Sequence, residues 1–194
     1  MWSQDEARCS MIPTVRTTLG LKGHRPVVGN LDGHDLVYVF GALNLVTGQL
    51  TTRIVAHGRA SRKRPTGPSR RRRLQEAFAR HLRDIACAYP AARYPRVVLI
   101  IDNAPWHPGA VITSVLQEWP HLEVYRLPSD SPQLPVIERL WKVRRRRATH
   151  NRLFPRLAQL KQALRNSLCY YQTLKHRVLS LIQSSKKQTK LSAA

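Results

Sequence analysis

An α/β fold, a mixed sheet with helices on its faces, is predicted from three observations. A strong hairpin pattern spans residues 36–56. Helix and strand patterns then alternate through residue 147, the order that builds layered sheets with crossover helices. Finally, 42% of the 194 residues are hydrophobic, enough to bury the core of one domain.

The elements follow in order. Met1–Asp5 reads as the stub of a first strand. Residues 6–34 carry Pro13, Gly20, Gly23, Pro26, Gly29 and Gly33 and read as an irregular excursion, with a short strand allowed over Arg25–Asn30. Leu36–Leu45 is rich in β-branched and aromatic residues and predicts a strand. Thr47-Gly48 signals a turn, and Leu50–Ala56 reads as the return strand. Arg59–Ser69 is a basic loop broken by Pro65, Gly67 and Pro68. Leu74, Phe78, Leu82, Ile85 and Tyr89 recur at three- and four-residue spacing, so residues 70–89 predict an amphipathic helix stopped by Pro90. Val97–Ile101 is a continuous aliphatic run, the kind that parallel sheets bury on both faces.

Val111, Ile112, Val115, Leu116 and Trp119 mark a helix that ends at Pro120. Leu122–Leu127 reads as a strand, 128–135 as a Pro/Ser-rich loop and 135–147 as a helix. Leu157, Leu160, Leu164, Leu168, Tyr171, Leu174, Val178 and Leu181 predict one long final amphipathic helix, with a frayed tail behind it. Residues 1–150 are therefore expected to form the main domain. Residues 151–184 would be a helix packed on it, and 185–194 a flexible basic tail.

Charge narrows the partners. The chain has 33 Lys plus Arg against 11 Asp plus Glu, a net charge of +22, which points to a polyanion and most often to nucleic acid. The cations cluster. Arg59, Arg62, Lys63, Arg64 and Arg70–Arg73 place eight in fifteen residues with no acid among them; Arg144–Arg147 form a second block and Lys186, Lys187 and Lys190 a third. Such blocks track phosphates without reading bases. The three cysteines are odd in number, far apart and free of any Cys-x-x-Cys pair, which argues against a disulfide framework or a zinc site and for a reducing cytoplasm. No apolar run approaches the ~20 residues of a membrane span, and no secretory signal opens the chain. No membrane partner is expected.

With so few acids, those on apolar elements direct the search. Asp102 directly follows the buried run 97–101, and Asp5 closes the first strand. If the two strands are parallel neighbours their ends lie ~5 Å apart. Glu138 lies near the start of a helix, where it also can pair with Lys142 at i+4. Three converging carboxylates repel one another, and divalent Mg²⁺ or Mn²⁺ relieves that repulsion with hard oxygen ligands. A pair of such ions supports in-line displacement at phosphorus. Spacing alone leaves Asp5 and its neighbour Glu6 open as the first ligand. His107, five residues past Asp102, is placed to touch a phosphate or to orient a ligand. Trp141 shares a helix face with Glu138 as a core residue, and Arg144–Arg147 are expected on the DNA backbone.

Three blocks then carry a resemblance: Trp2-Ser-Gln-Asp-Glu-Ala-Arg8, Ile101-Asp-Asn-Ala-Pro-Trp-His107 and Leu127-Pro-Ser-Asp-Ser-Pro-Gln-Leu-Pro-Val-Ile-Glu-Arg-Leu-Trp-Lys142. In this order, with 36 positions from Asp102 to Glu138, they resemble the signature blocks of DDE transposases. The likeness is to the DDE superfamily endonuclease domain of bacterial insertion-sequence relatives of the mariner superfamily, and it covers about residues 2–184. It implies an RNase H-like fold, a mixed five-stranded sheet with the first and fourth strands adjacent at its centre. It also implies Asp5, Asp102 and Glu138 as the catalytic, metal-binding triad with two Mg²⁺ or Mn²⁺ ions. The implied reactions are phosphodiester hydrolysis at an insertion-sequence end and strand transfer, with no covalent protein–DNA intermediate.

The expected DNA-binding residues are His107, Arg62, Lys63, Arg64, Arg71, Arg72, Lys142, Arg145 and Arg146. The expected partners are double-stranded DNA at transposon ends and target, and a second copy of the chain. Because the chain starts four residues before Asp5, the family's helix-turn-helix reader is expected on a separate protein. The expected location is the bacterial cytoplasm, in association with the nucleoid. The competing expectation is a truncated, catalytically inactive remnant that only binds DNA.

Overall fold

The computed structural model describes residues 1–19, 22–24, 26–29, 35–57, 68–128 and 136–182. Its elements are β1 (Trp2–Ser10), β2 (Leu36–Asn44), β3 (Leu50–His57), α1 (Arg70–Ala88), β4 (Val97–Ile101), α2 (Ala110–Glu118), β5 (Leu122–Arg126), α3 (Val136–Ala148) and α4 (Leu157–Thr173). They form a five-stranded sheet in the order β3-β2-β1-β4-β5. β1 pairs antiparallel with β2 and parallel with β4, so the sheet is mixed and β1 and β4 meet at its centre. The element order and the sheet match the sequence reading.

Alternation along the strands feeds two cores. On one side Trp2, Tyr38, Phe40, Leu99 and Ile101 pack against Leu74, Phe78, Leu82 and Ile85 of α1 and Ile112 and Val115 of α2. On the other, Ala7, Cys9, Val37, Val39 and Leu43 meet Ile137, Leu140 and Trp141 of α3 and Leu160, Leu164, Leu168 and Tyr171 of α4. β2 is thus buried along almost its whole length. At α1 the Ser69 hydroxyl caps the first turn, accepting from the Arg72 amide at 3.2 Å.

Two expectations need correction. β1 does not end at Asp5 but continues to Ser10, because Ala7 and Cys9 alternate into the α3 side while the antiparallel ladder with β2 supplies its hydrogen bonds. The final helix is not continuous. It is interrupted at Leu174 (φ −100°, ψ 64°) and resumes over 175–182, packing against the β2–β3 turn, where Gly48 (φ +70°) faces the Lys175 carbonyl and Leu179. The bend seats Val178 fully in the core. In the segment expected to allow a short strand, residues 26–29 form no element, and Arg25 and Asn30 lie outside the described residues. So do Arg62, Lys63, Arg64, most of the 128–135 loop and the basic tail. Among the described residues no helix is long and apolar enough to cross a membrane.

Candidate active site

The site forms where the parallel pairing of β1 and β4 runs out. Ser3 is paired with Ile100, which sets Asp5 level with Asp102, the first residue past β4. Asp5 stands on the same side as Ser3, Ala7 and Cys9, and α3 covers that side. The helix lies close because the residue opposite Asp5 on β2 is Gly41: a Cβ there would come within 2.5 Å of the Trp141 ring and 3.2 Å of Ile137. Trp141 is buried, as expected, and Glu138 rides on the flank of the seated helix, half-exposed, with Lys142 Nζ 3.8 Å from its Oε2.

Electrostatics register the convergence of the three acids. Burial pushes the Asp5 carboxyl up to about 7, the adjacent Glu6 charge adds to this, and Asp102 and Glu138 push in the same direction, against a hydrogen bond from the Glu6 amide. A carboxyl in this state is only partly ionised around neutrality, and a bound cation favours its charged form. The donor set is all oxygen, which fits Mg²⁺ or Mn²⁺ and does not fit a thiophilic metal.

Glu6 goes the other way. Strand alternation turns it to the α1 side, where only 5% of its side chain is exposed. Its Oε1 accepts from Gln4 Nε2 at 2.8 Å and lies 3.0 Å from His107 Nε2. His107 Nδ1 lies 3.0 Å from the Asp102 carbonyl and 3.1 Å from Asp102 Oδ1. Both ring nitrogens therefore face acceptors. Burial alone would lower the pKa of His107, but the hydrogen bonds to Asp102 and Glu6 together raise it to about 9. The His107 hydrogen bond in turn holds the Asp102 carboxyl below the usual range, helped by the Ala104 amide at 3.0 Å and opposed by partial burial.

The expectation that His107 contacts DNA is corrected here: it is 1% exposed, its ring lies against Phe78, and Glu6 and Asp102 occupy its nitrogens. Glu6, Asp102 and His107 offer ligand atoms within 4.8 Å of one another. The 3.0 Å spacings make this a hydrogen-bonded chain rather than a cage around an ion.

The loop that carries His107 is held at several points. Asn103 Nδ2 donates to the Leu127 carbonyl at 2.7 Å, and Gln75 Nε2 reaches the Pro108 carbonyl at 2.5 Å. Gly109, at φ +140°, starts α2 where a Cβ would strike Gln75 Nε2 at 2.7 Å.

The basic residues divide. Lys142 and Arg146 are exposed and Arg145 half-buried on α3, leading away from Glu138. Arg71 and Arg72 are exposed in the first turn of α1, across the sheet from Glu138. The helix dipole disfavours cations at that end, and Arg72 is partly compensated by Glu76 one turn on, 3.3 Å from its Nε. Arg144, expected on the DNA backbone with its neighbours, is instead fully buried, donating from Nη2 to Cys9 Sγ at 3.0 Å and lying 5.2 Å from the centre of the Trp141 ring. It falls on the stripe of Ile137, Leu140, Trp141 and Ala148, and that periodicity outweighs membership of an arginine run.

Comparison with solved structures gives the same fold. The chain resembles the Mos1 transposase paired-end complex with left transposon end (TM-score 0.59, 15% identity), covering 94% of this chain and 53% of that one. It likewise resembles the catalytic domain of Mos1 mariner transposase (TM-score 0.57, 14% identity, 94% and 78% covered). The Mos1 paired-end complex with Mg gives a TM-score of 0.59 at 16% identity, covering 94% and 53%. The chain thus spans about half the length of the Mos1 chains in those complexes, and the fold is RNase H-like. No curated protein matches it by sequence. Residues 1–161 match the family described as DDE superfamily endonuclease, and with more than four-fifths of its length inside that match the chain belongs to this family.

Proposed function

We propose that the chain is a DDE transposase catalytic domain that hydrolyses a DNA phosphodiester at an insertion-sequence end and transfers the freed strand to a target. Asp5, Asp102 and Glu138 are its catalytic carboxylates. The observation that carries this reading is the β1–β4 register, which sets Asp5 level with Asp102 under the helix that bears Glu138, near enough for both charges to act on Asp5. Acids from a strand centre, a strand end and a helix start meet on one side of the sheet, and a divalent cation relieves their mutual repulsion.

Two Mg²⁺ or Mn²⁺ ions, when bound by these three side chains, supply Lewis-acid activation of the attacking oxygen and stabilisation of the leaving one. The protein's own part is positioning. His107 fixes the rotamer of Asp102 through its Nδ1, and Glu6 fixes His107 through Nε2, so Glu6 is a positioning residue acting through the histidine. Lys142, Arg145 and Arg146 line the exposed side of α3 and hold the DNA backbone against the carboxylates.

In the first step a water oxygen bonds to phosphorus and the bond to O3′ breaks. The leaving oxygen takes up a proton as a 3′-hydroxyl, and the phosphate stays on the 5′ side. In the second step that hydroxyl attacks a target phosphodiester and displaces the target O3′, so one phosphodiester is made for each one broken and no energy source is needed. The catalytic unit is residues 1–150, and α4 with the helical stretch over 175–182 packs on it. The chain acts on double-stranded DNA in the bacterial cytoplasm as a pair of copies, since two ends must be joined.

The test is a nicking and strand-transfer assay on plasmid DNA with Mg²⁺ or Mn²⁺. Cleavage abolished by Asp102→Asn supports the reading. Cleavage unaffected by that change, or salt-dependent binding with no metal-dependent cleavage in the wild type, overturns it in favour of an inactive DNA-binding remnant.

A further inference from the structure

At the carboxyl end of α3 the chain builds a second basic feature, which takes in Arg146 and extends beyond the carboxylate site. Residues 14–19 cross over residues 146–152 as a strap. Thr14 and His150 form an isolated parallel bridge, and the Asn151 amide donates to the Thr14 carbonyl at 3.2 Å. The Asn151 side chain grips the Arg16 backbone both ways: its Oδ1 accepts from the Arg16 amide at 2.8 Å, and its Nδ2 donates to the Arg16 carbonyl at 3.0 Å. Asn151 does this from a left-handed conformation, φ 54°, which asparagine tolerates better than most residues.

The strap closes one side of an open cleft of about 960 Å³ lined by Arg16, Arg146, Arg147, His150 and Arg152. Among the described residues no carboxylate lines it. The Arg147 guanidinium is stacked 3.8 Å from the centre of the Tyr170 ring, which fixes its plane. The crowding is felt by His150, whose pKa is lowered first by burial and then by the charges of Arg16, Arg145 and Arg146. A solubilising surface would spread these cations apart. Here a two-way side-chain clamp draws them together, at a repulsive cost that a polyanion relieves.

The cleft also connects to the carboxylates. A neighbouring depression lined by Arg8, Lys142 and Arg145 shares Arg16 and His150 with it, and Lys142 stands 3.8 Å from Glu138. A basic track therefore runs down α3 from Glu138. Eight residues of helix separate Glu138 from Arg146, ~12 Å of rise, which is the axial length of roughly three to four base pairs.

We propose that this cleft is a backbone-phosphate site for duplex DNA, set roughly three to four base pairs from the phosphate at the carboxylates, and that Asn151 is the positioning residue that builds it. The inference rests on the reading that the carboxylates act on DNA. The phosphates belong either to the duplex being cut or to a second, target duplex.

The test is equilibrium binding of the full chain to labelled duplex DNA in EDTA across a salt series, so that cleavage does not enter. Arg146→Gln with Arg152→Gln is expected to weaken binding about tenfold and to lower the salt slope by about 1 to 2, at roughly 0.9 for each phosphate no longer neutralised. These side chains are exposed, so the double variant keeps the fold. Asn151→Ala is expected to lower affinity and slope in the same direction although it removes no charge, a result that bulk charge does not produce.

One duplex bound per chain, with both variants weakening that single binding event, assigns the cleft to the cut duplex. Two duplexes per chain, one lost in the variants, assign it to the target. An unchanged slope in both variants overturns the proposal. A lowered slope from a wild type that never cleaves leaves the cleft standing and sinks the endonuclease reading, whereas normal cleavage with unchanged slopes does the reverse.

Discussion

Asp5 and Glu6 are consecutive residues of one strand, yet they meet opposite sides of the sheet and opposite electrostatic fates. Asp5 faces α3, and burial first, then the neighbouring Glu6 charge, with smaller contributions from Asp102 and Glu138, raise its pKa to about 7. Glu6 faces α1, almost fully buried, and is held by Gln4 and His107. One acid is left wanting a positive charge and the other already has one. The difference separates a group available to a ligand from a group committed to structure. It comes from the two-residue period of a strand and not from residue type. Under the proposed function it favours Asp5 over Glu6 as the first ligand: the acid on the α3 side shares its surroundings with Glu138, and the acid on the α1 side does not.

The largest effect expected from breaking this arrangement is at Asp102, which serves both sides. Its carboxylate adds to the charge felt by Asp5 and receives His107. Asp102→Asn keeps the shape and removes the charge, and cleavage is expected to fall by about a thousandfold or more, some 4 kcal/mol in transition-state terms. DNA binding in EDTA should change little. A cleavage rate within about tenfold of wild type would place the chemistry elsewhere.

The α1 side offers a sharper contrast between two buried histidines. His107 has two carboxylate partners and is raised to about 9. His81 is fully buried near Phe40 with no hydrogen-bond partner on either nitrogen among the described residues, and burial lowers it to about 4, with Asp84 opposing and Arg53 lowering it further. A histidine whose folded pKa lies below its unfolded value of 6.5 binds its proton more readily in the unfolded chain. Stability is therefore expected to be unaffected by this group above about pH 6.5 and to fall as pH drops from there towards 4. The full loss is about 3 kcal/mol at roughly 1.36 kcal/mol per unit. Urea denaturation of wild type and His81→Leu at about pH 7 and about pH 4.5 measures it, and an acid limb equally steep in both proteins would refute the assignment.

The fold was largely legible because its elements carry strong periodicities. The 97–101 run, the 36–56 hairpin and the α1 stripe all form where their patterns place them. The misses have physical reasons. β1 is longer than its apolar run because Glu6 and Arg8 alternate with Ala7 and Cys9, and a strand with one polar-lined side reads as loop when only continuous hydrophobicity is sought. Arg144 was hidden by its neighbours in an arginine run, although helical spacing from Ile137 and Trp141 already assigned it to the buried side. The Glu6–His107 chain joins residues 101 positions apart through a loop without periodicity, so no local pattern announces it. The Asn151 clamp spans 135 positions for the same reason.

The seat of α3 can be altered without touching any charge. Gly41 lies directly opposite Asp5, and its missing Cβ is the space the Trp141 ring occupies. Gly41→Ala is expected to destabilise the protein by about 1–3 kcal/mol through overpacking. It should also lift Glu138 away from the other two acids, so that cleavage falls by more than the unfolded fraction explains. Thermal denaturation and single-turnover cleavage on the same samples separate the two effects. An alanine variant with wild-type melting temperature and rate would show that the close approach is not needed.

The smallest effect, and the most discriminating, is at Glu6. If it acts only through His107, Glu6→Gln leaves the metal-binding carboxylates in place and loosens the rotamer of Asp102. Mn²⁺ affinity should then weaken about tenfold, at the low end of what outer partners of metal ligands contribute. A direct ligand would lose far more. The decisive readout lies in the metal-free protein: the ¹⁵N shifts of the His107 ring should change at Nε2 in Glu6→Gln and be restored in Glu6→Asp only so far as the shorter side chain reaches. A merely structural role for Glu6 would shift the melting temperature and leave the ring nitrogens as they are. Loss of all metal binding in Glu6→Gln would instead return Glu6 to the ligand set and erase the distinction between the two sides of β1.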